Sequence, residues 1–218
     1  MDEIFPAIEY CRNVISNGDI GKVCQLRSDL SFDLLQDEGL QSPKWQVGAG
    51  MDAGVYPVHA ALMVLGRGTS DLEFSGMIDD YGYREDSAGL IYAHFNSGAT
   101  AVLSWSHLVE GAEELEIYGT EGRVKVYPPA HCPTKVSVTR TKGDRRTSND
   151  NRLFEFPLPR IRGKFYYPNS EGLYYEARAV QACLEGKLIE SPQLPLDNSI
   201  QAIRMITECD QYIKRRAA

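Results

Sequence analysis

The order of apolar and polar positions in the first third of the chain predicts a helix, a strand and a second helix. Apolar residues recur at helical spacing over 6–17. Over 20–35 the side chains alternate between two faces, which is typical of a strand. A polar, glycine-rich stretch over 36–50 predicts a loop, and helical spacing returns over 52–65.

The middle of the chain predicts a run of strands joined by short turns. The candidate strands lie at 72–79, 88–96, 99–109, 113–119, 122–127, 135–141 and 152–156. Because the links between neighbouring strands are short, we expect antiparallel hairpins rather than parallel crossovers. A polar loop is expected over 142–151, between the last two strands.

Two helices are predicted near the end of the chain, over 174–185 and 198–213. We expect the following apolar side chains to share one face on each helix: Ala177, Val180 and Leu184 on the first, and Ile200, Ile203, Ile206 and Tyr212 on the second. The pattern as a whole predicts one domain over 1–218. Its class is α+β, with a mainly antiparallel open β-sheet and helices packed on one face.

Charge and composition narrow the possible partners. The net charge of −7 disfavours nucleic acid, because nucleic-acid binders usually carry a basic face. No apolar run approaches the roughly 20 residues of a membrane span, and we expect no signal peptide. The five cysteines are scattered, which favours reduced thiols in a cytoplasmic protein. The histidines do not pair with cysteines at zinc-ligand spacing, so we expect no metal site.

The common motifs for nucleotide binding, serine hydrolysis and zinc proteolysis are missing from the sequence. No Gly-x-Gly-x-x-Gly follows a predicted strand, and Gly48-Ala49-Gly50 lacks both the third glycine and the surrounding βαβ unit. No Walker loop, Gly-x-Ser-x-Gly elbow or His-Glu-x-x-His is present. We therefore expect no NAD(P) site, and no other cofactor site, in this chain.

The densest group of candidate catalytic residues lies at the start of the second predicted helix. Asp52, Tyr56 and His59 are spaced so that a carboxylate, a phenol and an imidazole line one edge of that helix. Such a trio can bind hydroxyl groups and relay a proton. The alternative is a helix capped by Asp52, with the two rings half-buried and no chemical role.

Two strand faces offer candidate substrate-binding residues. Tyr92 and His94 share one face of their strand, and Trp105 and His107 share one face of the next. If the two faces meet across the hairpin, they line a ligand site with aromatic rings and imidazoles. Ordinary sheet packing with polar tips that reach water explains the same pattern.

A tyrosine-rich stretch is the third candidate. It comprises Lys164, Phe165, Tyr166, Tyr167, Tyr174 and Tyr175. Aromatic side chains with hydroxyl groups can wall a pocket for a cyclic or polyhydroxylated ligand, and we include Tyr166 and Tyr167 among the candidate substrate-binding residues. They can equally cover an interface between subunits.

Four stretches carry a resemblance to a known family. Residues 48–57 are similar to the signature GGG…LDxGxYP, and residues 117–124 are similar to the hairpin motif I-x-G-T-x-G. Residues 5–23 and 175–192 supply the other two. In this order and spacing, the chain resembles the Gfo/Idh/MocA oxidoreductases, and within them the dimeric dihydrodiol dehydrogenase branch.

The resemblance implies a sheet-based substrate domain whose open sheet often packs against another subunit. It places Asp52 and Tyr56 at the substrate-binding and proton-transfer positions, and His59 where many members carry another polar residue that faces the same pocket. Family members begin with a Rossmann domain that holds NAD(P), and we expect this chain to lack it. The lysine of the family's EKP motif belongs to that half, and the triple glycine is reduced here to Gly48-Ala49-Gly50.

Three hypotheses about function follow. The first is a free-standing domain that acts on a hydroxylated or cyclic small molecule by non-redox acid–base chemistry, as an isomerase, cyclase or lyase. The second is the substrate half of a split or truncated NAD(P)-dependent dehydrogenase, which needs a Rossmann-domain partner. The third is a non-catalytic binding module. In each case we expect a homodimer through the open sheet, because that face is expected to be apolar and to need cover.

Overall fold

The computed structural model describes residues 4–34, 47–78, 85–141, 149–163, 165 and 167–217. The helical elements are α1 (Pro6–Ser16), a π-helix (Gly50–Gly54), α2 (Val55–Leu65), a short 3₁₀ helix (Ser170–Gly172), α3 (Leu173–Glu185) and α4 (Leu196–Ala217). The strands are β1 (Val23–Ser31), β2 (Thr69–Ile78), β3 (Asp86–Phe95), β4 (Thr100–Ser106), β5 (Leu115–Gly119), β6 (Gly122–Val126), β7 (Lys135–Thr141) and β8 (Asn149–Glu155).

The strands form one eight-stranded sheet in the order β2-β3-β4-β1-β5-β6-β7-β8. The pair β1–β4 is parallel, with Leu26 opposite Ala101 and Leu30 opposite Trp105, and the other neighbours are antiparallel. The predicted α+β class with a mainly antiparallel sheet is confirmed. The parallel pair is possible because a long connection containing α2 and the β2–β3 hairpin separates β1 from β4.

The core lies between one face of the sheet and the helices α1, α2 and α4. Alternate residues of the strands point into it, as the two-residue period of a strand requires. The central buried side chains include Leu26, Ile91, Leu103, Trp105, Ile117, Val124 and Val138. On the helix side, α4 contributes Met205, Ile206 and Cys209. This layer fixes the π-helix and α2 above the central strands.

The opposite face of the sheet carries polar and charged side chains. It presents Arg27 from β1, Tyr92 and His94 from β3, Glu116 from β5 and Lys125 from β6. All five side chains are at least partly exposed. The expectation that this open face is apolar is therefore wrong, because its strands alternate apolar residues toward the helices with polar residues outward.

Two helix faces also differ from expectation. On α3 the expected inner residues Val180 and Leu184 are 55% and 72% exposed. On α4 the residues Ile200 and Ile203 are 48% and 47% exposed, and the buried stripe instead runs through Ala202, Met205, Ile206, Cys209 and Ile213. Helical spacing identified both helices correctly but not the sides that face the core, because several of their faces carry apolar residues.

Three elements begin or end at residues other than those predicted from the sequence. The helix predicted from residue 52 begins two residues earlier, as a π-helix. Strand β4 ends at Ser106, so that His107 lies just past its end. Strand β8 begins at Asn149, inside the predicted loop. Its polar residues can extend the strand because their backbone pairs with β7 and because the hydroxyl of Thr139 donates to Oδ1 of Asn151 at 3.0 Å.

Among the described residues, no helix has both the length and the apolar character needed to cross a bilayer.

Candidate functional site

The candidate site lies at the edge of the sheet where the parallel strands β1 and β4 both end. Parallel strands bring their carboxyl ends to the same edge, so the residues that follow them meet there. Phe32 follows β1, and its backbone N–H donates to the carbonyl of Ser106 at 3.0 Å. Its ring stacks on the imidazole of His107, with the centroids 5.4 Å apart. This pair forms one wall of the site.

The π-helix lies directly on the core because its glycines lack side chains. A Cβ atom on Gly54 would lie 2.7 Å from Cδ2 of Trp105, and one on Gly50 would lie 2.9 Å from Cγ2 of Ile206. Real Cβ atoms do not approach other atoms this closely, so the family-like glycines are needed for packing. Short π-helices are rare in proteins, and those that occur often lie at functional sites. This one carries Asp52 on its exposed side.

A buried carboxylate anchors the π-helix from below. Oδ2 of Asp86 accepts the indole N–H of Trp105 at 2.9 Å and the backbone N–H of Gly50 at 2.7 Å. Burial raises the pKa of Asp86, and the two donors and the charge of His107 only partly offset this effect. Trp105 is 2% exposed and so supports the site from beneath rather than lining it.

Asp52 faces an imidazole across the site. Its Oδ2 lies 3.1 Å from Nε2 of His107, a distance typical of an ion pair, although the two groups are not aligned as a hydrogen bond. The side chain of Asp52 is 50% exposed and that of His107 is 18% exposed. The carboxylate can therefore receive a ligand from solvent, while the imidazole behind it is held by the stack with Phe32.

Tyr56 faces a second imidazole, from a part of the chain that the sequence analysis did not single out. Its ring meets His131 edge-on, with the centroids 6.2 Å apart and the planes at 73°. Nδ1 of His131 lies 3.6 Å from Oε2 of Glu113, which is long for a hydrogen bond but close enough for the two charges to interact. Tyr56, His131 and Glu113 thus form a row of proton-carrying side chains.

Glu113 has a side chain with a raised pKa and a backbone that hydrogen bonds hold in place. Burial raises its pKa, and the neighbouring His131 lowers it by a smaller amount. Its carbonyl accepts the N–H of Ala130 at 3.0 Å, which ties it to the segment that carries His131. Its N–H donates to Oδ1 of Asp29, while the other oxygen of Asp29 accepts the hydroxyl of Ser104 at 2.9 Å. The row is therefore connected to β1 and β4.

The remaining predicted site residues lie in several places. His59 is half-buried on α2, one turn beyond Tyr56. Tyr92 and His94 lie on the open face, whereas Trp105 lies on the core face, so the expectation that these faces form one lining is wrong. Tyr167 is 70% exposed, near the start of α3. Lys164 and Tyr166 lie outside the described residues.

Four residues of the site were missed by the sequence analysis: Phe32, Asp86, Glu113 and His131. Glu113 stands at the end of a predicted strand, where functional side chains often gather, and this position was a usable signal. Phe32 lies inside the strand predicted over 20–35, which ends earlier in the structure, at Ser31. Nothing in the sequence around Asp86 or His131 links them to the site, because only the sheet brings them there.

The glycines at 48 and 50 are packed against the core. A Cβ atom on Gly48 would lie 2.0 Å from Oδ1 of Asp86, so these glycines are packed against a carboxylate rather than open to a phosphate. Among the described residues, the helix that follows the glycines does not belong to a βαβ unit whose first strand runs directly into a glycine turn.

Comparison with known proteins decides the family. Residues 8–125, more than half of the chain, match the family model described as GFO/IDH/MocA C-terminal domain. This chain belongs to the GFO/IDH/MocA family. It is a C-terminal domain of oxidoreductases by descent, and the resemblance found in its sequence motifs is confirmed.

Curated relatives of this GFO/IDH/MocA domain are dehydrogenases. The chain is 29% identical over 198 residues to the trans-1,2-dihydrobenzene-1,2-diol dehydrogenase of Oryctolagus cuniculus, covering 89% of this chain and 56% of that protein. It is 30% identical over 193 residues to the enzyme of the same name from Danio rerio, covering 87% of this chain and 53% of that protein. The chain thus spans about half the length of the curated relatives it matches.

Solved structures share the fold. An NAD binding oxidoreductase from Klebsiella pneumoniae matches with a TM-score of 0.75 at 18% identity, over 99% of this chain and 63% of that one. An aldose-aldose oxidoreductase from Caulobacter crescentus, complexed with glycerol, matches with a TM-score of 0.74 at 17% identity, over 100% of this chain and 61% of that one. At these identities the matches show that the fold is shared.

Proposed function

We propose that this domain binds a hydroxylated cyclic small molecule beside Asp52 and Tyr56 and exchanges a proton with one of its hydroxyl groups, as the substrate half of an NAD(P)-dependent oxidoreductase. The observation that carries the proposal is the pairing of each residue with its own imidazole, Asp52 with His107 and Tyr56 with His131. The names of the curated relatives support a diol on a six-membered ring as the substrate class.

Asp52 is the binding group of this proposal. Half of its side chain is open to solvent, and a carboxylate accepts hydrogen bonds from two neighbouring hydroxyl groups. Nε2 of His107 lies 3.1 Å from this carboxylate and holds it in place from the less exposed side. The ring of Phe32, stacked on His107, offers the apolar surface that the carbon face of a ring substrate needs.

Tyr56 is the proton-transfer group. A phenol removes or supplies a proton best when a positive charge nearby stabilises the phenolate, and His131 stands beside its ring. Oε2 of Glu113 lies 3.6 Å from Nδ1 of His131, where the carboxyl group can take part in moving the proton. These residues orient the substrate and move its proton, and a nucleotide-binding domain would supply NAD(P) as the hydride acceptor.

An exposed apolar surface supports a second domain or subunit. We define the α3 surface as Ile4, Val180, Leu184, Leu188 and Ile189, which line a cavity of about 290 Å³ beside α3. Leu184 is 72% exposed and Ile189 is 98% exposed. Apolar side chains grouped in this way usually mark an interface with protein. We infer that the α3 surface receives the nucleotide-binding domain.

Cofactor-dependent turnover tests this proposal. NAD(P)⁺ reduction with a trans-dihydrodiol is measured by absorbance, for the chain mixed with a nucleotide-binding domain of a relative. We expect Tyr56→Phe to lower kcat by about 100-fold or more, and Asp52→Asn to raise KM. Tyr118→Phe, on the open face, is the matched control and should leave both constants unchanged. Equal activity of Tyr56→Phe and wild type overturns the proposed proton transfer.

The α3 surface has its own test. The double substitution Leu184→Ser and Ile189→Ser should abolish association with the nucleotide-binding domain in sedimentation experiments. Because both side chains are exposed, the unfolding midpoint should stay the same. Retained association shows that the second domain uses another surface.

Non-redox acid–base chemistry is the second candidate function. The observation that favours it is that the whole row of proton-carrying groups, Tyr56, His131 and Glu113, lies within this chain, whereas the glycines near Asp86 do not fit a dinucleotide. Proton NMR of a hydroxylated ketone in D₂O without NAD(P) tests it. Isomerisation or deuterium uptake that disappears in Tyr56→Phe supports this candidate. Turnover that requires NAD(P) excludes it. Substrate binding without turnover in either assay leaves a non-catalytic binding module.

We also infer a homodimer through the open face, in a cytoplasmic setting. The open face has opposite charges side by side, Arg27 beside Glu116 and Lys125 in register with Glu116, which favours polar contacts between two copies. All five cysteines are free, which suits a reducing compartment. Analytical ultracentrifugation at micromolar concentration should give a dimer, and Arg27→Glu should give a monomer. A wild-type monomer overturns the inference.

A further inference from the structure

Three potential metal ligands meet on the open face of the sheet. Asp71 and Glu73 are alternate residues of β2, so their side chains lie on the same face. His94 of β3 pairs directly with Asp71, and its Nε2 lies 3.8 Å from Oε1 of Glu73. One donor atom from each of the three side chains lies within 4.8 Å of the other two.

We propose that Asp71, Glu73 and His94 bind a divalent transition metal ion, with Zn²⁺ as the best fit. An imidazole nitrogen with two carboxylate oxygens is a ligand set that zinc accepts, and three protein ligands leave a fourth position for water. Mg²⁺ and Ca²⁺ prefer ligand sets made only of oxygen, so the imidazole disfavours them. The site is separate from the proposed catalytic residues Asp52 and Tyr56, and it lies on the open face that the proposed homodimer would use.

The geometry needs only a small adjustment to hold the ion. Zinc with ligands at about 2.0–2.1 Å in a tetrahedron places its donor atoms about 3.3 Å apart. The three donors are therefore too far apart by no more than about 1.5 Å, a change that side-chain rotation supplies. Glu73 is 67% exposed and His94 is 40% exposed, so both can rotate without disturbing the core.

The backbone and a neighbouring ring already arrange the ligands. The β2–β3 ladder fixes the positions of the three Cα atoms, because Asp71 stands opposite His94 and Glu73 stands opposite Tyr92. The ring of Tyr92 meets the imidazole of His94 edge-on, with the centroids 4.8 Å apart and the planes at 86°. Tyr92 thus packs against the imidazole of His94 and restricts the space in which it can turn.

Sequence spacing did not reveal this set. The expectation of no metal site considered histidines paired with cysteines, whereas these ligands come from two strands that only the hairpin joins. Charged residues also protect edge strands from pairing with other chains, and β2 is the edge strand of the sheet. Edge protection requires the charges of Asp71 and Glu73 but does not require the imidazole of His94, whereas metal binding requires all three side chains. The effect of replacing His94 therefore distinguishes edge protection from metal binding.

Metal titration tests the proposal. Isothermal titration calorimetry with ZnCl₂ should show one site in the wild-type chain, and Co²⁺ should give the intense visible absorption of tetrahedral coordination. His94→Gln and Asp71→Asn should each weaken binding by at least about tenfold. Glu208→Gln, an exposed carboxylate on α4, is the matched control and should bind as the wild type does.

Two outcomes overturn the proposal. If the wild-type chain binds no Zn²⁺ up to millimolar concentration, the charges serve edge protection only. If His94→Gln binds Zn²⁺ as tightly as the wild type, the ion occupies other residues. The three side chains are at least partly exposed, so the variants should keep the wild-type circular dichroism spectrum; where one variant does not, the other decides.

Discussion

Trp105 donates its indole N–H to Oδ2 of Asp86 at 2.9 Å inside the core, and the same oxygen accepts the N–H of Gly50 at 2.7 Å. Three elements thereby meet at one atom: the start of β3, the strand β4 and the first residue of the π-helix. Since the π-helix carries Asp52, the buried carboxylate sets the height of the candidate site above the sheet.

Asp86→Ala should lower the free energy of unfolding by about 2–4 kcal/mol, because two buried N–H donors lose their acceptor. Urea denaturation followed by fluorescence of the tryptophans measures this change. Asp86→Asn keeps one acceptor oxygen and should cost less than the alanine variant. Equal stability of the alanine variant and the wild type would show that the two donors find water or another acceptor.

The stability of the wild type should depend on pH through Asp86. Burial raises the pKa of Asp86 in the folded state above its unfolded value of about 3.9, so folding favours the protonated carboxyl. Its contribution to stability is present below the unfolded pKa and is lost as the pH rises through the raised folded pKa. Asp86→Asn does not titrate.

The difference in unfolding free energy between wild type and Asp86→Asn should therefore change in favour of the wild type as the pH falls from neutral to about 4. Urea denaturation of both proteins over a pH series measures it. A difference that stays constant, or that changes in the opposite direction, contradicts a raised pKa for this carboxyl.

Gly54→Ala should destabilise the domain by about 1–3 kcal/mol, because its new Cβ would lie 2.7 Å from Cδ2 of the buried Trp105. Relief of this contact must lift the π-helix, so substrate binding at Asp52 should weaken as well. Thermal denaturation and substrate titration measure the two effects.

Gly186→Ala is the matched control for that substitution. Gly186 follows α3 with a φ of −76°, and its added Cβ would lie no closer than 3.2 Å to another heavy atom. We expect its stability to stay within about 0.5 kcal/mol of the wild type. If both alanine variants lose the same stability, the close approach to Trp105 is not the cause.

Glu113→Gln should remove the acidic limb of the pH profile of kcat. Burial raises the pKa of Glu113, so in the wild type this carboxyl becomes protonated at a higher pH than an ordinary glutamate does, and its negative charge beside His131 is then lost. The glutamine variant lacks this step and should have a lower kcat at neutral pH. Steady-state kinetics across pH measure both effects. Glu114→Gln, which disturbs the pair with Lys125 instead, should keep the acidic limb.

Much of the fold was predictable because its determinants are local. The strands β2 to β4 and β5 to β7 form hairpins that pair residues near in sequence, as predicted. The hairpin expected from the short link between β4 and β5 is wrong, because β1 lies between these two strands. The parallel pair β1–β4 was not predictable in this way, because its partners come from distant segments and no turn sets their register. The exposed faces of α3 and α4 escaped prediction because apolar residues occur on more than one side of each helix.

The sequence by itself determined the family motif, the helix that carries Asp52 and Tyr56, and the α+β class, because period and turn chemistry act over a few residues. Only the tertiary structure decided that Asp52 faces His107, that Tyr56 faces His131, and that Trp105 supports the site rather than lining it. The physical reason is that the order of strands in a sheet, and not distance along the chain, determines which side chains share an edge.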